Sequence, residues 1–598
     1  MGLGAGIIDS PSALTDVASG LLFVRIVQRG AFLISNAYLA KSCIAIGLPQ
    51  FVEGRSSRDA SRRQIVKLSM QILNCVVSST THCSAARPAR TGTFGPANRD
   101  CRYSRKRWRS GVMDMNMQDV SLAAPTSRKK LTGNMGPIGL ALMVLAFSAP
   151  LTTVSGYIPF ALMFGGVASP LLFCVTTVVL LLFSVGYVTL NNIVKRPGDF
   201  YAFVSFGIGK STGLGSGILA AVSYFLLLAG VTSFFGVSCS DLIHELSGAT
   251  VPWYVPTIGC WLVVSILGYL HVELSAKVLT WIMLLEIVVC LAFSFFVFVK
   301  GGGGDISATA PFSPSELSKS QSVPFSILFI VGFFMGFEAT ALFRDEVRLP
   351  DRTIPVATYG AVIFIGVVYT ICAYALILSY GSHTADVATK TPAAMFPDAF
   401  ARFVSGRLHT LVSGLVLISA FASALSTQNV LARYMHNLGT DGALPRFLGK
   451  VHAKHESPYL ASLTVSIMVL CVLVPFIALG AKPDLLYGQL SGVGTAGIVF
   501  LMAVVSISSL VWYVRSGKAQ GVNVFKSFVA PAISSLFFIA LVVLIAAHFD
   551  VLAGGDPGQY VWMFYCLIGV QVFGIVLAQY FKRAKPEVFE RLGRSHKD

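Results

Sequence analysis

Charge is what this chain has least of. Asp, Glu, Lys and Arg make up only 12% of its 598 residues, against 54% hydrophobic positions. A soluble domain carries about twice that share of charge, so a single water-facing globule of this length is excluded. Paired cysteines are also missing. Four of the eleven cysteines fall in the first 112 residues, and Cys174, Cys239, Cys260, Cys290, Cys372, Cys471 and Cys566 stand singly in or beside apolar stretches, with no C-x-x-C. Neither a disulfide scaffold nor a cysteine metal site is expected. The H-A-K-H-E run (His452 to Glu456) lacks the H-E-x-x-H order of a helical zinc pair and reads as a solvated basic loop. Gly209, Lys210 and Ser211 end like a phosphate loop, but the earlier glycine such a loop needs is Val204 here, and no nucleotide-type strand precedes it. No cofactor is expected. Residues Gly4 to Ile46 lack the basic start, compact apolar core and small-residue cleavage site of a signal peptide.

Long apolar runs dominate the rest. Stretches of about 20 residues, each long enough to cross roughly 30 Å of hydrocarbon, recur from Gly136 onward. Twelve are expected, at about 137–164, 171–190, 215–238, 255–270, 278–299, 330–352, 354–380, 411–435, 460–479, 490–514, 528–547 and 560–580. The fold class is therefore an all-α polytopic membrane protein. Residues 136–581 form the membrane domain, 113–135 a cytoplasmic N-terminal segment and 582–598 a cytoplasmic tail.

The formal charge of +17 is unevenly spread. Residues 1–112 hold 16 Lys and Arg against 5 Asp and Glu, in a Ser/Arg/Cys-rich setting with no clear period. This poorly structured basic extension reads as a start-site artefact, with initiation near Met113, Met115 or Met117; the alternative is a disordered basic tail. Peptides from 1–112 in natively expressed protein would refute the first reading. Beyond it, the basic residues favour alternate connectors. An N-terminus in the cytoplasm leaves only Lys300, Lys319, Lys390, Arg402, Arg407 and Lys482 outside, so the positive-inside rule puts both termini in the cytoplasm of a multi-pass protein of the cell membrane. The lipid bilayer accounts for the basic runs, and no nucleic acid partner is expected.

Two spans are interrupted where lipid penalises interruption. In A-F-S-A-P-L-T-T-V-S-G-Y-I-P (Ala146 to Pro159), Pro150 removes a backbone donor, freeing carbonyls near Phe147 and Ser148, and Gly156 permits unwinding. In I-V-G-F-F-M-G-F-E-A-T-A-L-F-R-D-E-V-R-L-P-D-R (Ile330 to Arg352), Gly332, Gly336 and Glu338 break the sixth span. Two broken helices at matching places in two halves point to the binding site of a secondary transporter. Glu286 lies about midway along the fifth span, where it should face a partner or a cavity, or be protonated.

Three segments resemble the amino acid-polyamine-organocation transporters. They are G-F-E-A-T-A-L-F-R-D-E-V-R-L-P-D-R-T-I-P (Gly336 to Pro355), N-V-L-A-R-Y-M-H-N-L-G-T-D-G-A-L-P-R-F-L-G-K-V-H after span 8, and P-G-D-F-Y-A-F-V-S-F-G-I-G after span 2. In the last, Asp199 sits where a small residue is usual. The resemblance covers about 136–581. It implies two five-helix halves, spans 1–5 and 6–10, in an inverted repeat with discontinuous helices 1 and 6. It also implies that the unwound backbone holds the substrate. The carboxylate is then expected near Thr153, Val154, Ser155 and Gly156, and the amine near Gly332, Phe333, Phe334 and Gly336. The aromatic gate that several relatives place six residues before the span 6 Glu is Gly332 here, with Phe333 or Phe334 as substitutes. Glu338 matches a carboxylate linked to proton-dependent gating. Glu286 stands where some proton-coupled relatives carry a lysine, so the lysine mechanism does not transfer, and the two carboxylates themselves are the candidates for proton coupling. Ser423, Ser426 and Thr427 are the weaker, sodium-binding candidates. Tyr224 is a candidate for the pocket wall.

The function expected is an amino acid permease, a secondary active transporter that works by alternating access with a proton as coupling ion and a small-molecule substrate, amino acid or amine. An amine, polyamine or amino acid exchanger of the same fold is the alternative. A channel would want a ring of filter residues from repeated subunits, and no such sequence is present. An intramembrane enzyme would want clustered His, Asp or Glu within spans, whereas only two carboxylates, on different helices, are found.

Overall fold

Residues 135–593 are described by a computed structural model, apart from 271, 453–456, 481–482, 519–520 and 550–560. The basic extension at 1–112, nearly all of 113–135 and the end of the tail lie outside them.

The described residues are helical and contain no strand, only an isolated bridge between Met135 and Val347. Ten helices or helix runs are long and apolar enough to cross a membrane, and the shorter apolar helix Tyr254–Leu270 adds to them. The first run, Pro137–Val194, contains both span 1 and span 2 and is divided at Gly166, whose φ is +56°. The twelve expected spans are thus accommodated. Span 2 is Ser169–Val194, followed by a connector helix, Asp199–Gly207; spans 3, 4 and 5 are Lys210–Ser247, Tyr254–Leu270 and Val272–Val299. Span 6 is Val323–Phe334 with a continuation at Glu338–Glu346. Spans 7 to 12 are Pro350–Tyr380, His409–Asp441, Tyr459–Ala478, Pro483–Trp512, Ala530–Ala547 and Val561–Ala584. Each five-span half therefore opens on an interrupted helix.

Apolar residues cover both the core and the rim. Trp281 (75% exposed), Leu536 and Val288 point outward from spans 5 and 11, as lipid-facing side chains do. Span 6 is the opposite case, enclosed on all sides among spans 1, 2, 7 and 10. A helix surrounded by protein at that depth can give up regular backbone pairing without exposing it to hydrocarbon.

Candidate functional site

Span 1 stops at Ser148, because Ala149 adopts a left-handed φ of +43° and Pro150 supplies no N–H. The freed carbonyls find hydroxyls instead: Ser423 Oγ donates to the Phe147 oxygen at 3.0 Å, and Thr153 Oγ1 donates to the Ser148 oxygen. The second half of the helix begins at once. Proline at the first helical position costs nothing, since that N–H has no intrahelical partner anyway. The next two N–H groups are capped by side chains. Leu151 N donates to Glu286 Oε2 at 3.2 Å, Thr152 N donates to Ser419 Oγ at 3.0 Å, and Ser419 Oγ donates to the same Glu286 oxygen at 2.7 Å. A carboxylate at a helix N-terminus satisfies orphan donors and meets the positive end of the dipole. The interruption is consequently shorter than the Pro150 to Gly156 stretch expected from sequence: the chain is helical again by Pro150 and widens into a π turn over Thr153–Tyr157.

Span 6 breaks over Met335 to Phe337 and resumes as a 3-10 turn from Glu338. Gly336 has φ +108°, and a Cβ there would meet the Phe147 ring at 2.7 Å, so only glycine fits between the two broken helices. Its N–H donates to Glu338 Oε2 at 2.9 Å, while the Tyr224 hydroxyl donates to Oε1. On the other side of the break, Ser148 Oγ donates to the Phe333 carbonyl at 2.9 Å and lies 2.7 Å from the Tyr369 hydroxyl. Broken span 1 and broken span 6 are therefore joined directly.

A cavity of about 30 Å³ lies at this junction, lined among others by Ser148, Thr153, Gly332, Phe333, Ser423 and Tyr487. A second of similar volume is lined by Ser155, Gly156, Phe234 and Pro392, and again by Tyr487. Neither lining contains a charged side chain. The hydroxyls of Thr152, Ser155 and Tyr487 are buried without a hydrogen-bond partner. Buried polar atoms are nearly always paired, so these three mark positions where a polar ligand or water would be held.

The expected residues divide between these places. Thr153, Gly332, Phe333, Ser423 and Thr427 line the central cavity, and Ser155 and Gly156 the second. Val154 and Phe334 are fully buried and line neither. Phe334 packs against Phe333. Ser426 lines neither, and its hydroxyl has no partner. Tyr224 differs from expectation: its hydroxyl is held by Glu338, and it belongs to neither wall. The space left by Gly332 is taken by a residue that sequence reading passed over. A Cβ at Gly332 would meet the Tyr157 ring at 2.7 Å, and Tyr157 in turn packs edge-on to Tyr487 with centroids 5.5 Å apart. Tyr487, whose ring also lies tilted against Phe234 with centroids 4.8 Å apart, is marked by no motif. Among the described residues, no group of three or more His, Cys, Asp or Glu could hold a metal.

Comparison with known proteins agrees with the architecture. The Amino acid permease family profile matches residues 139–573. The chain is 22% identical over 354 residues to the low-affinity putrescine importer PlaP of Escherichia coli K12, which covers 58% of this chain and 75% of that protein. It is 20% identical over 389 residues to the putrescine transporter PotE of Haemophilus influenzae, covering 64% and 83%. Identity is 24% over 462 residues to the branched-chain amino acid permease BcaP of Bacillus subtilis, covering 72% and 91%. With two broken helices meeting at a buried cavity and a family match across nearly all the spans, the chain belongs to the amino acid permease family of the amino acid-polyamine-organocation superfamily.

Proposed function

We propose that this chain is a secondary active permease of the cytoplasmic membrane that carries a zwitterionic amino acid by alternating access, coupled to protons, with both termini in the cytoplasm. The observation that carries the choice of substrate is the uncharged lining of both cavities. An amino acid brings one charge of each sign, and the ends of two half-helices suit it: N–H groups and a positive dipole end for the carboxylate, free carbonyls for the amine. A diamine brings two positive charges and calls for carboxylates in the wall. Glu286 and Glu338 are both turned away, to helix N–H groups, Ser419 and Tyr224.

In this reading Thr153, Ser155, Gly156, Gly332 and Phe333 surround the substrate, and Glu338 and Glu286 take and release the coupling proton. Ser423 and Thr427 supply the hydroxyls that a sodium-coupled mechanism would use instead. The putrescine transporters among the relatives favour a second reading, an exchanger of amines in the same fold. Uptake of labelled amino acids and putrescine into proteoliposomes, with an imposed proton gradient, a sodium gradient or neither, separates the readings. Amino acid accumulation driven by inward protons supports the first. Flux only against substrate on the opposite side supports an exchanger and removes the proton.

A further inference from the structure

A further buried carboxylate lies outside the substrate site, and the mechanism above leaves it idle. Asp199 opens the connector helix after span 2 and is completely buried. Tyr187 of span 2 donates its hydroxyl to Oδ1 at 2.7 Å, and Tyr434 of span 8 donates to Oδ2 at 2.6 Å. The titratable groups that face it are these two tyrosines, Tyr224 of span 3 and Glu338 of span 6. Among the described residues, no cation is within ion-pair distance of it. Tyr187 has a second acceptor, the backbone carbonyl of Glu338 at the break of span 6. One hydroxyl proton thus stands between two acceptors, and a hydroxyl can donate only once.

We propose that Asp199 is a proton-exchanging switch whose state Tyr187 reports to the broken stretch of span 6. The inference rests on the proton-coupled reading of the transporter. With Asp199 ionised, Tyr187 and Tyr434 both donate to it, and the Glu338 carbonyl receives nothing from Tyr187. When one proton from water is added to Oδ1, Asp199 becomes the donor to the Tyr187 oxygen, and the Tyr187 hydrogen turns to the Glu338 carbonyl. No further proton is gained or lost; one hydrogen bond reverses direction and one to the Glu338 carbonyl is gained. Burial first, and the Glu338 carboxylate second, raise the Asp199 carboxyl well above the usual carboxylate range, so that protonation is within reach of ordinary conditions. The route runs through Tyr187 and not through the facing aromatic pair, since Tyr224 and Tyr434 meet as rings with centroids 5.4 Å apart.

A backbone requirement alone would also explain an Asp here, because its φ is +44° and Asp and Asn tolerate that region. The test therefore uses Asn. Asp199→Asn keeps the backbone preference and cannot ionise, so it should behave as the protonated form at every pH. Tyr187→Phe leaves Asp199 intact and removes the reporter. The full-length protein in lipid nanodiscs is followed by hydrogen–deuterium exchange over 335–346, corrected for the intrinsic pH dependence of exchange. In wild type, protection of this segment should fall by about fivefold as pH rises through the Asp199 transition, the worth of one net hydrogen bond. Asp199→Asn should be protected throughout, and Tyr187→Phe unprotected throughout. A wild-type pH dependence that persists in both variants overturns the proposal, as does a wild type with no dependence. Labelled leucine uptake by the same proteins in proteoliposomes separates this from the coupling itself. If the exchange switch is present while wild-type leucine uptake ignores an imposed proton gradient, the coupling reading fails and the switch stands.

Discussion

Replacing Glu286 with leucine tests whether the break in span 1 is held by a side chain or by its own backbone. Glu286 is 1% exposed and accepts from Leu151 N–H at 3.2 Å and Ser419 Oγ at 2.7 Å. Leucine has a similar volume and accepts nothing. The Leu151 N–H is then buried and unpaired, which costs about 1–3 kcal/mol. Ser419 loses its acceptor but still receives the Thr152 N–H at 3.0 Å. If the cap exists only while the two halves of span 1 are positioned as seen here, that cost shifts the population of this arrangement by about 5–150-fold. Glu286→Gln keeps an oxygen for Leu151 and can donate to Ser419, so its thermal stability should fall near wild type, while its uptake should lose the proton dependence proposed for Glu286. The assays are thermal unfolding in detergent and the concentration dependence of leucine uptake, on both variants. A Leu variant that melts and transports like wild type would refute the capping argument. A Gln variant as damaged as the Leu variant would show that charge, not hydrogen-bond acceptance, is what position 286 contributes.

Three further outcomes follow from the same geometry. Glu338→Gln should flatten the pH dependence of uptake more than it weakens substrate binding, and full activity with an unchanged profile would take Glu338 out of the coupling. Gly336→Ala places a Cβ 2.7 Å from the Phe147 ring at φ +108°, a strain of about 1–3 kcal/mol; uptake should drop, and adding Phe147→Ala should restore only the steric part. Tyr487→Ala should join the two cavities, so that phenylalanine competes better against leucine uptake than in wild type, and an unaltered order of competition would sink the role of Tyr487 as their shared wall.

Most of the architecture was legible from the sequence because its signals are local. Apolar runs separated by polar connectors mark spans, and Pro150 and Gly336 mark breaks through backbone chemistry carried by the residue itself. The length of the first break was misjudged for a reason of the opposite kind. Its N–H groups are capped by Glu286 and Ser419, 135 and 267 positions away, and no local pattern contains that pairing. Tyr224 was assigned to the pocket although its hydroxyl serves Glu338, again a contact between distant spans. An aromatic residue in an apolar helix looks like packing, as Tyr157 does, until its hydroxyl is seen to have no partner, as at Tyr487. Gly332 gave half of the clue: a small residue where bulk is usual implies that something else fills the space, but only the fold shows that it is Tyr157.

The two cavities on either side of Tyr487 each have room for about two water molecules. No amino acid fits in either while that ring stays where it is. On the alternating-access reading proposed above, passage creates its own volume, with aromatic side chains and half-helices displaced for every molecule carried and returned before the next. Such a path has no standing column of solute or solvent, and its throughput is set by how often the protein rearranges rather than by diffusion along a pore. Flux through this protein should saturate, slow steeply on cooling and reach turnover rates far below those of an open conduit.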